Sequence, residues 1–178
     1  MFFKKLEKYK VLLASRSKRR HELLNGLKVK FEFIAQEVDE SYPEKLKKHE
    51  ITDYLAKKKS IQLKKLLKKN ELLITADTIV WFNNSALGKP KNRNEAVNMI
   101  KYLSNNSHEV ISSVCISTNK TQTIINESTK VYFEKLSDND TTYYASNYDV
   151  LDRAGSYGIQ DYIGYLGISR IDGCYNNV

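Results

Sequence analysis

No apolar run in this chain approaches the length of a membrane-spanning helix, so no spanning segment is expected. Cysteine is scarce. Cys115 and Cys174 lie far apart and in no metal-like spacing, which argues against a disulfide framework or a zinc site and for two buried thiols in a reducing cytoplasm. The opening Met1-Phe2-Phe3-Lys4-Lys5-Leu6-Glu7 contains neither an h-region nor a cleavage site, so no secretory leader is expected. Matches such as Asn126-Glu127-Ser128 then carry no meaning as glycosylation sites. Histidine is sparse as well; His108 has no second histidine nearby, which favours a structural role over a metal-ligating one. Internal repeats, low-complexity linkers and composition breaks are missing, so residues 1–178 are expected to form one α/β unit.

What is present suits a folded enzyme-sized domain. A chain of 178 residues and 20.6 kDa, 41% hydrophobic and 11% aromatic, can bury a real core. The formal charge of +8 and pI near 9.3 point weakly to an anionic partner. Much of the excess lies in one segment, at Lys45, Lys47, Lys48, Lys57, Lys58, Lys59, Lys64, Lys65, Lys68 and Lys69. Such a run reads first as the wet face of a helix and second as a nucleic-acid surface.

The stretch Val11-Leu12-Leu13-Ala14-Ser15-Arg16-Ser17-Lys18-Arg19-Arg20 organises the rest. An apolar run of strand length ends in small hydroxyls and is followed at once by the three cations Lys18, Arg19 and Arg20, and His21 to Leu27 then reads as a short helix stopped at Asn25-Gly26. A strand feeding a helix through a Ser-rich turn gathers backbone N–H groups, hydroxyls and the positive end of the helix around one point. Arg19 and Arg20 make phosphate the anion that turn would suit. An ordinary helix start with solvated cations explains the same residues.

Further along, Phe31 to Ala35 reads as a second strand leading into a polar loop, Gln36 to Pro43, that carries three carboxylates. A helix is expected from about Ile51 to Lys69, with Ile51, Leu55, Leu63, Leu66 and Leu67 as its buried stripe. The most apolar segment, Glu71 to Phe82, reads as a central strand interrupted by Asp77. A carboxylate there needs a partner, a metal or a cleft, unless it caps a turn at the strand end. Ala86-Leu87 returns as a short strand, and Gly88-Lys89-Pro90 projects Lys89 from a defined bend. Asn92 and Glu95 suggest a capping box, followed by a helix to Leu103; His108–Thr118 and Thr121–Leu136 alternate as strands; Ser137 caps another short helix. The glycine-punctuated Asp152 to Gln160 suggests close backbone approach to a ligand, and Gln160 carries an amide suited to a nucleobase edge.

Taken together, these pieces resemble the Maf family of nucleotide pyrophosphatases along nearly the whole chain. The family's opening Leu-Ala-Ser-x-Ser-Pro-Arg-Arg-x-Glu-Leu-Leu is similar to Leu13 through Leu24, and its acidic Asp-Glu to Asp39-Glu40. Ala-x-x-Lys-Ala resembles Ala56 to Ser60 and singles out Lys59 among the lysines. Ala-Asp-Thr is Ala76-Asp77-Thr78, Leu-Gly-Lys-Pro is Leu87 to Pro90, Leu-Ser-Gly-x-x-His-x-Val is Leu103 to Val110 with Asn105 for Gly, and Asp-x-Ala-Gly-x-Tyr-Gly-Ile-Gln is Asp152 to Gln160.

The resemblance implies a Maf/ITPase-like α/β fold: a twisted mixed β-sheet with flanking helices, in two lobes around a central cleft. It implies hydrolysis of a nucleoside triphosphate between the α and β phosphates, with dTTP and UTP favoured, and a divalent metal cation, Mg²⁺ or Mn²⁺. The catalytic set it implies is Asp77, Glu40, Lys59 and Lys89, with Asp77 as general base at a strand end and Glu40 and Asp77 as metal ligands. Ser15, Arg19, Arg20, Thr78 and Gln160 are the substrate-binding set, of which Arg19, Thr78 and Gln160 are assigned to the choice of base. Alternatives stay open: a 7-methyl-GTP pyrophosphatase, or a non-catalytic nucleic-acid-binding or division-control protein, although the aromatic–basic interleaving of a single-strand binder is not evident. A homodimer is left open too. Three departures bear on these expectations. Lys18 stands where the family has Pro, Asp161 replaces a Gly and adds a negative charge near the expected base pocket, and the chain ends at Val178 where the family commonly continues with Val-Gly-Leu-Pro and a final helix.

Overall fold

The computed structural model describes residues 2–178; Met1, where the stretch read for a leader begins, lies outside them. A 3-10 turn at Phe2–Lys5 precedes strand β1 (Lys10–Leu13), helix α1 (Lys18–Gly26), β2 (Phe31–Phe33), α2 (His49–Lys64), β3 (Glu71–Phe82) and β4 (Ser85–Leu87). After these come α3 (Arg93–Leu103), β5 (Ser107–Ser117), β6 (Gln122–Phe133), α4 (Asp138–Asn147), α5 (Tyr162–Gly167) and β7 (Ile168–Asp172), with 3-10 turns at Ala154–Ser156 and Tyr175–Asn177.

The strands form a seven-stranded mixed sheet in the order β2-β1-β3-β5-β6-β7, with β4 paired to β3. β1 runs parallel to both β2 and β3, whereas β4 on β3 and β7 on β6 are antiparallel. The chain path divides into two compact units. One takes the N-terminal segment through Leu46 with Glu50–Asp77 and Ser113–Asn126; the other takes Lys47–His49, Thr78–Ser112 and Glu127–Val178. β3, β5 and β6 each contribute residues to both.

Hydrophobic pattern explains the second unit most simply. Ala96, Ile100 and Leu103 recur at helical spacing on α3 and are fully buried, packing with Val80, Val131, Tyr144, Val150 and Ile163. Asn92 caps α3 by accepting from Glu95 N–H at 2.9 Å. The expected box is only half closed there, because the Glu95 carboxylate accepts from Lys91 N–H instead. On α4 the box is complete, with Ser137 and Asp140 satisfying each other's backbone N–H. In the first unit a smaller core of Leu12, Ala14, Leu67 and Leu73 lies against Ile34 and Leu63.

α2 is shorter than expected. It stops at Lys64, and Leu66 and Leu67 N–H turn back onto the Leu63 and Lys64 carbonyls at 3.0 and 3.3 Å before the chain enters β3. That tightening throws Leu66 out of the stripe, to 77% exposure, while Leu67 still reaches the core.

Candidate functional site

β1 ends opposite Ile74, where Ala14 N–H donates to the Ile74 carbonyl at 3.0 Å, and Ser15 opens the turn into α1. Two side chains from α1 hold that turn. Arg20 Nη1 donates to Ser15 Oγ at 3.1 Å and to the Ala76 carbonyl at 2.9 Å, tying the turn to β3 one residue before Asp77. His21 Nε2 lies 2.7 Å from the Ser15 carbonyl, which accepts from the ring N–H; the ring packs edge-on to Phe31 at 5.4 Å. His21 is the residue that sequence reasoning passed over here, being only the variable position of a motif. Ser17 begins α1 without a side-chain cap, and Arg19 and Arg20 are half-buried.

Asp77 lies in the middle of β3, interrupting the central strand as its apolar surroundings suggested and not sitting at a strand end. Its position follows from where β1 stops: pairing with β1 ends at Ile74 and pairing with β4 begins only at Val80. The carboxylate is buried, and Lys59, half-buried on α2, donates to Asp77 Oδ1 at 2.6 Å. The same Nζ lies 2.8 Å from Glu40 Oε1 in the exposed acidic loop. Burial pushes the Asp77 carboxyl above its ordinary value; Lys59 and Arg20 pull it down without reversing the direction, and Glu40 adds to the rise. Next to Glu40, Asp39 accepts from Ser41 and Lys58, which hold its carboxyl down at about 2.

Lys59 therefore bridges two carboxylates, whose hard oxygens are of the kind that a divalent cation such as Mg²⁺ takes. Among the described residues no group of three or more His, Cys, Asp or Glu forms a closed metal cage.

The second unit holds the remaining predicted residues, each with its own partner. Thr78 Oγ1 is 2.8 Å from Ser112 Oγ, a neighbour with no motif to announce it. Exposed Lys89 pairs with Asp152. Its bend is anchored where Gly155 N–H donates to the Gly88 carbonyl at 3.0 Å. Gly155 has φ +68°, and a Cβ there would lie 2.7 Å from Val80 Cγ2, so both backbone and packing require glycine. Gln160 is exposed, its Nε2 3.5 Å from the Val178 carbonyl. His108 is buried against Tyr157 and Phe133, with Nε2 2.5 Å from Tyr157 Oη, the structural role expected of it. The negative charge that Asp161 adds is paired with Arg153.

The family model for Maf-like protein matches residues 10–178. The chain belongs to the Maf family. Among its relatives, the dTTP/UTP pyrophosphatase of Flavobacterium johnsoniae is 48% identical over 178 residues, covering the whole of this chain and 92% of the relative. The protein of the same name in Flavobacterium psychrophilum is 50% identical, with 91% of the relative covered. A solved structure of the Staphylococcus aureus Ham1 protein superposes with a TM-score of 0.50 at 14% identity, over 70% of this Maf chain and 71% of that one. At that identity the likeness speaks for the α/β fold alone. No helix among the described residues is long and apolar enough to cross a membrane.

Proposed function

We propose that this Maf family member is a nucleoside triphosphate pyrophosphatase acting on dTTP and UTP, releasing the nucleoside monophosphate and pyrophosphate. The observation that carries the reading is Asp77. A buried carboxylate with a raised proton affinity, 2.6 Å from a lysine and beside Arg20, is a strong base held in one place. Asp77 takes a proton from water as the water oxygen attacks the α phosphorus. The bond from that phosphorus to the α–β bridging oxygen breaks, and pyrophosphate leaves.

Cations serve the charge that develops. Lys59 keeps Asp77 ionised and placed; Ser15, Arg19, Arg20 and Lys89 contact phosphate oxygens, with guanidinium forks matching them two at a time. Thr78 and Gln160 read the base edge. Glu40 and Asp77 are the residues that would hold Mg²⁺ or Mn²⁺, which when bound neutralises phosphate charge and orients the triphosphate. Support for the substrate comes from the names of the Flavobacterium relatives and from the intact motif residues. Two free cysteines suit a reducing cytoplasm, although only Cys115 is buried as expected; Cys174, just after β7, is exposed.

The test is pyrophosphate release from dTTP, UTP, CTP, 7-methyl-GTP and the common purine triphosphates with Mg²⁺ or Mn²⁺. Turnover of dTTP and UTP that disappears in Asp77→Asn is the expected result. Turnover of 7-methyl-GTP alone would overturn the substrate and keep the chemistry; no turnover by folded protein would overturn both and favour a nucleic-acid-binding role.

A further inference from the structure

Asp161 N–H donates to the Gly158 carbonyl at 3.1 Å, which makes Gly158-Ile159-Gln160-Asp161 a four-residue turn with Gln160 in its third position. Both ends of that turn converge on one hydroxyl. Gly158 N–H donates to Tyr144 Oη at 3.3 Å, and Tyr144 Oη donates to Asp161 Oδ2 at 2.8 Å. Tyr144 is fully buried on α4, its ring stacked on Tyr148 with centroids 4.8 Å apart, so the hydroxyl cannot wander. A third side is closed by Arg153. Its Nη1 pairs with the same Asp161 Oδ2, and its Nη2 lies 3.4 Å from Oδ1, a two-pronged approach.

Glycine at 158 is what lets the guanidinium in. A Cβ there would fall 2.2 Å from Arg153 Nη1 and 3.6 Å from Gln160 Oε1, so the guanidinium and the Gln160 amide flank the same bare backbone atom. Among the described residues Gln160 makes only a long contact to the Val178 carbonyl, so the turn and not a strong hydrogen bond of its own sets its direction.

We infer that Tyr144, Asp161 and Arg153 form a clamp on this turn that aims the Gln160 side chain and thereby sets the choice of nucleobase. They are positioning residues, and the inference rests on the reading of Gln160 as a base-contacting residue. A turn fixed at both ends presents its amide without being ordered by the substrate, so cutting the clamp weakens binding of the preferred base and leaves the chemical step alone.

The experiment measures kcat and KM for dTTP, UTP and CTP in wild type, Gln160→Ala, Tyr144→Phe and Asp161→Asn, with inorganic tripolyphosphate as a competitor that lacks a base. Tyr144→Phe keeps the ring and its packing, and thermal melting confirms that each variant is folded. Gln160→Ala is expected to raise KM for the preferred base about tenfold and to flatten the ranking of bases. Tyr144→Phe and Asp161→Asn are expected to move KM and ranking the same way by about three- to tenfold, with kcat within about twofold and inhibition by tripolyphosphate unchanged. If Gln160→Ala changes the ranking and the two clamp variants do not, the clamp is overturned and the reading of Gln160 stands. An unchanged ranking in Gln160→Ala removes that reading and the clamp with it. Weaker tripolyphosphate inhibition in folded clamp variants means that the damage spreads to the phosphate groups, which also overturns a role in base choice.

Discussion

Two lysine–aspartate pairs carry the same charges in different surroundings. Lys59 and Asp77 meet at 2.6 Å with side chains 15% and 9% exposed; Lys89 and Asp152 pair with side chains 54% and 42% exposed. The first is built from a helix and the middle of a strand, the second from a glycine–proline bend and a turn. In the buried pair desolvation outranks the attraction, so Asp77 has a raised proton affinity even with an ammonium in contact. Water screens the exposed pair, whose net worth falls in the range of about 0–1 kcal/mol. On the proposed reading, a phosphate would take Lys89 from Asp152 at little cost, whereas Lys59 stays with Asp77 whatever the substrate does. The contrast fits the proposed division of labour, with Lys89 for capture of substrate and Lys59 for upkeep of the base.

Asp77→Asn breaks the buried side of this comparison most severely. Removing a positioned general base costs about 10²–10⁴-fold, so kcat for dTTP should fall by about three orders of magnitude while circular dichroism and melting show a folded protein. Lys59→Met should destabilise by about 3–5 kcal/mol in urea titrations, because it strands a buried carboxylate without its main partner. If Lys59→Met is destabilised by less than about 1 kcal/mol, the pair is effectively solvated and the distinction fails. Lys89→Met sharpens the exposed side: kcat/KM should drop roughly ten- to a hundredfold with the loss of a charge-assisted phosphate contact, and urea stability should move by less than about 1 kcal/mol.

The parts legible in sequence were those with a local cause. Val11 to Leu13 as a strand, Asn92 and Ser137 as caps, and the α3 stripe of Ala96, Ile100 and Leu103 all follow from short-range chemistry. Asp77 was conspicuous because a carboxylate inside an apolar run is costly. What lay hidden depended on pairing across the fold. The α2 stripe overshot because nothing in Leu66-Leu67 marks the tightened final turn, which places one leucine in water and the next in the core. The partner of Asp161 was not visible, because Arg153, eight residues away, is brought against it by the turn at Gly158. His21 and Ser112 carried no warning either; each becomes informative only once Ser15 or Thr78 is beside it.

A third buried ionisable group separates burial from pairing. His108 is as deep as Asp77 but has no counter-ion among the causes of its shift: desolvation alone holds its pKa down, at about 4. Its Nε2 meets the Tyr157 hydroxyl at 2.5 Å, and its Nδ1 is buried without a hydrogen-bond partner among the described residues. Because the folded-state pKa lies below the ordinary value of 6.5, the unfolded chain binds more protons between those two values. Stability from this residue is thus complete above about pH 6.5 and is lost as pH falls towards 4. Between pH 7 and 5.5 the loss should be about 1 kcal/mol. Urea unfolding of wild type and His108→Gln at those two pH values isolates it, since the amide does not titrate and every other group is common to both. The difference between the two proteins should shrink at pH 5.5 by about 1 kcal/mol, as the wild type alone must then bury a proton acceptor that water would charge. A pH-independent difference would mean that His108 finds a compensating charge, and that burial without a partner is not what distinguishes it from Asp77.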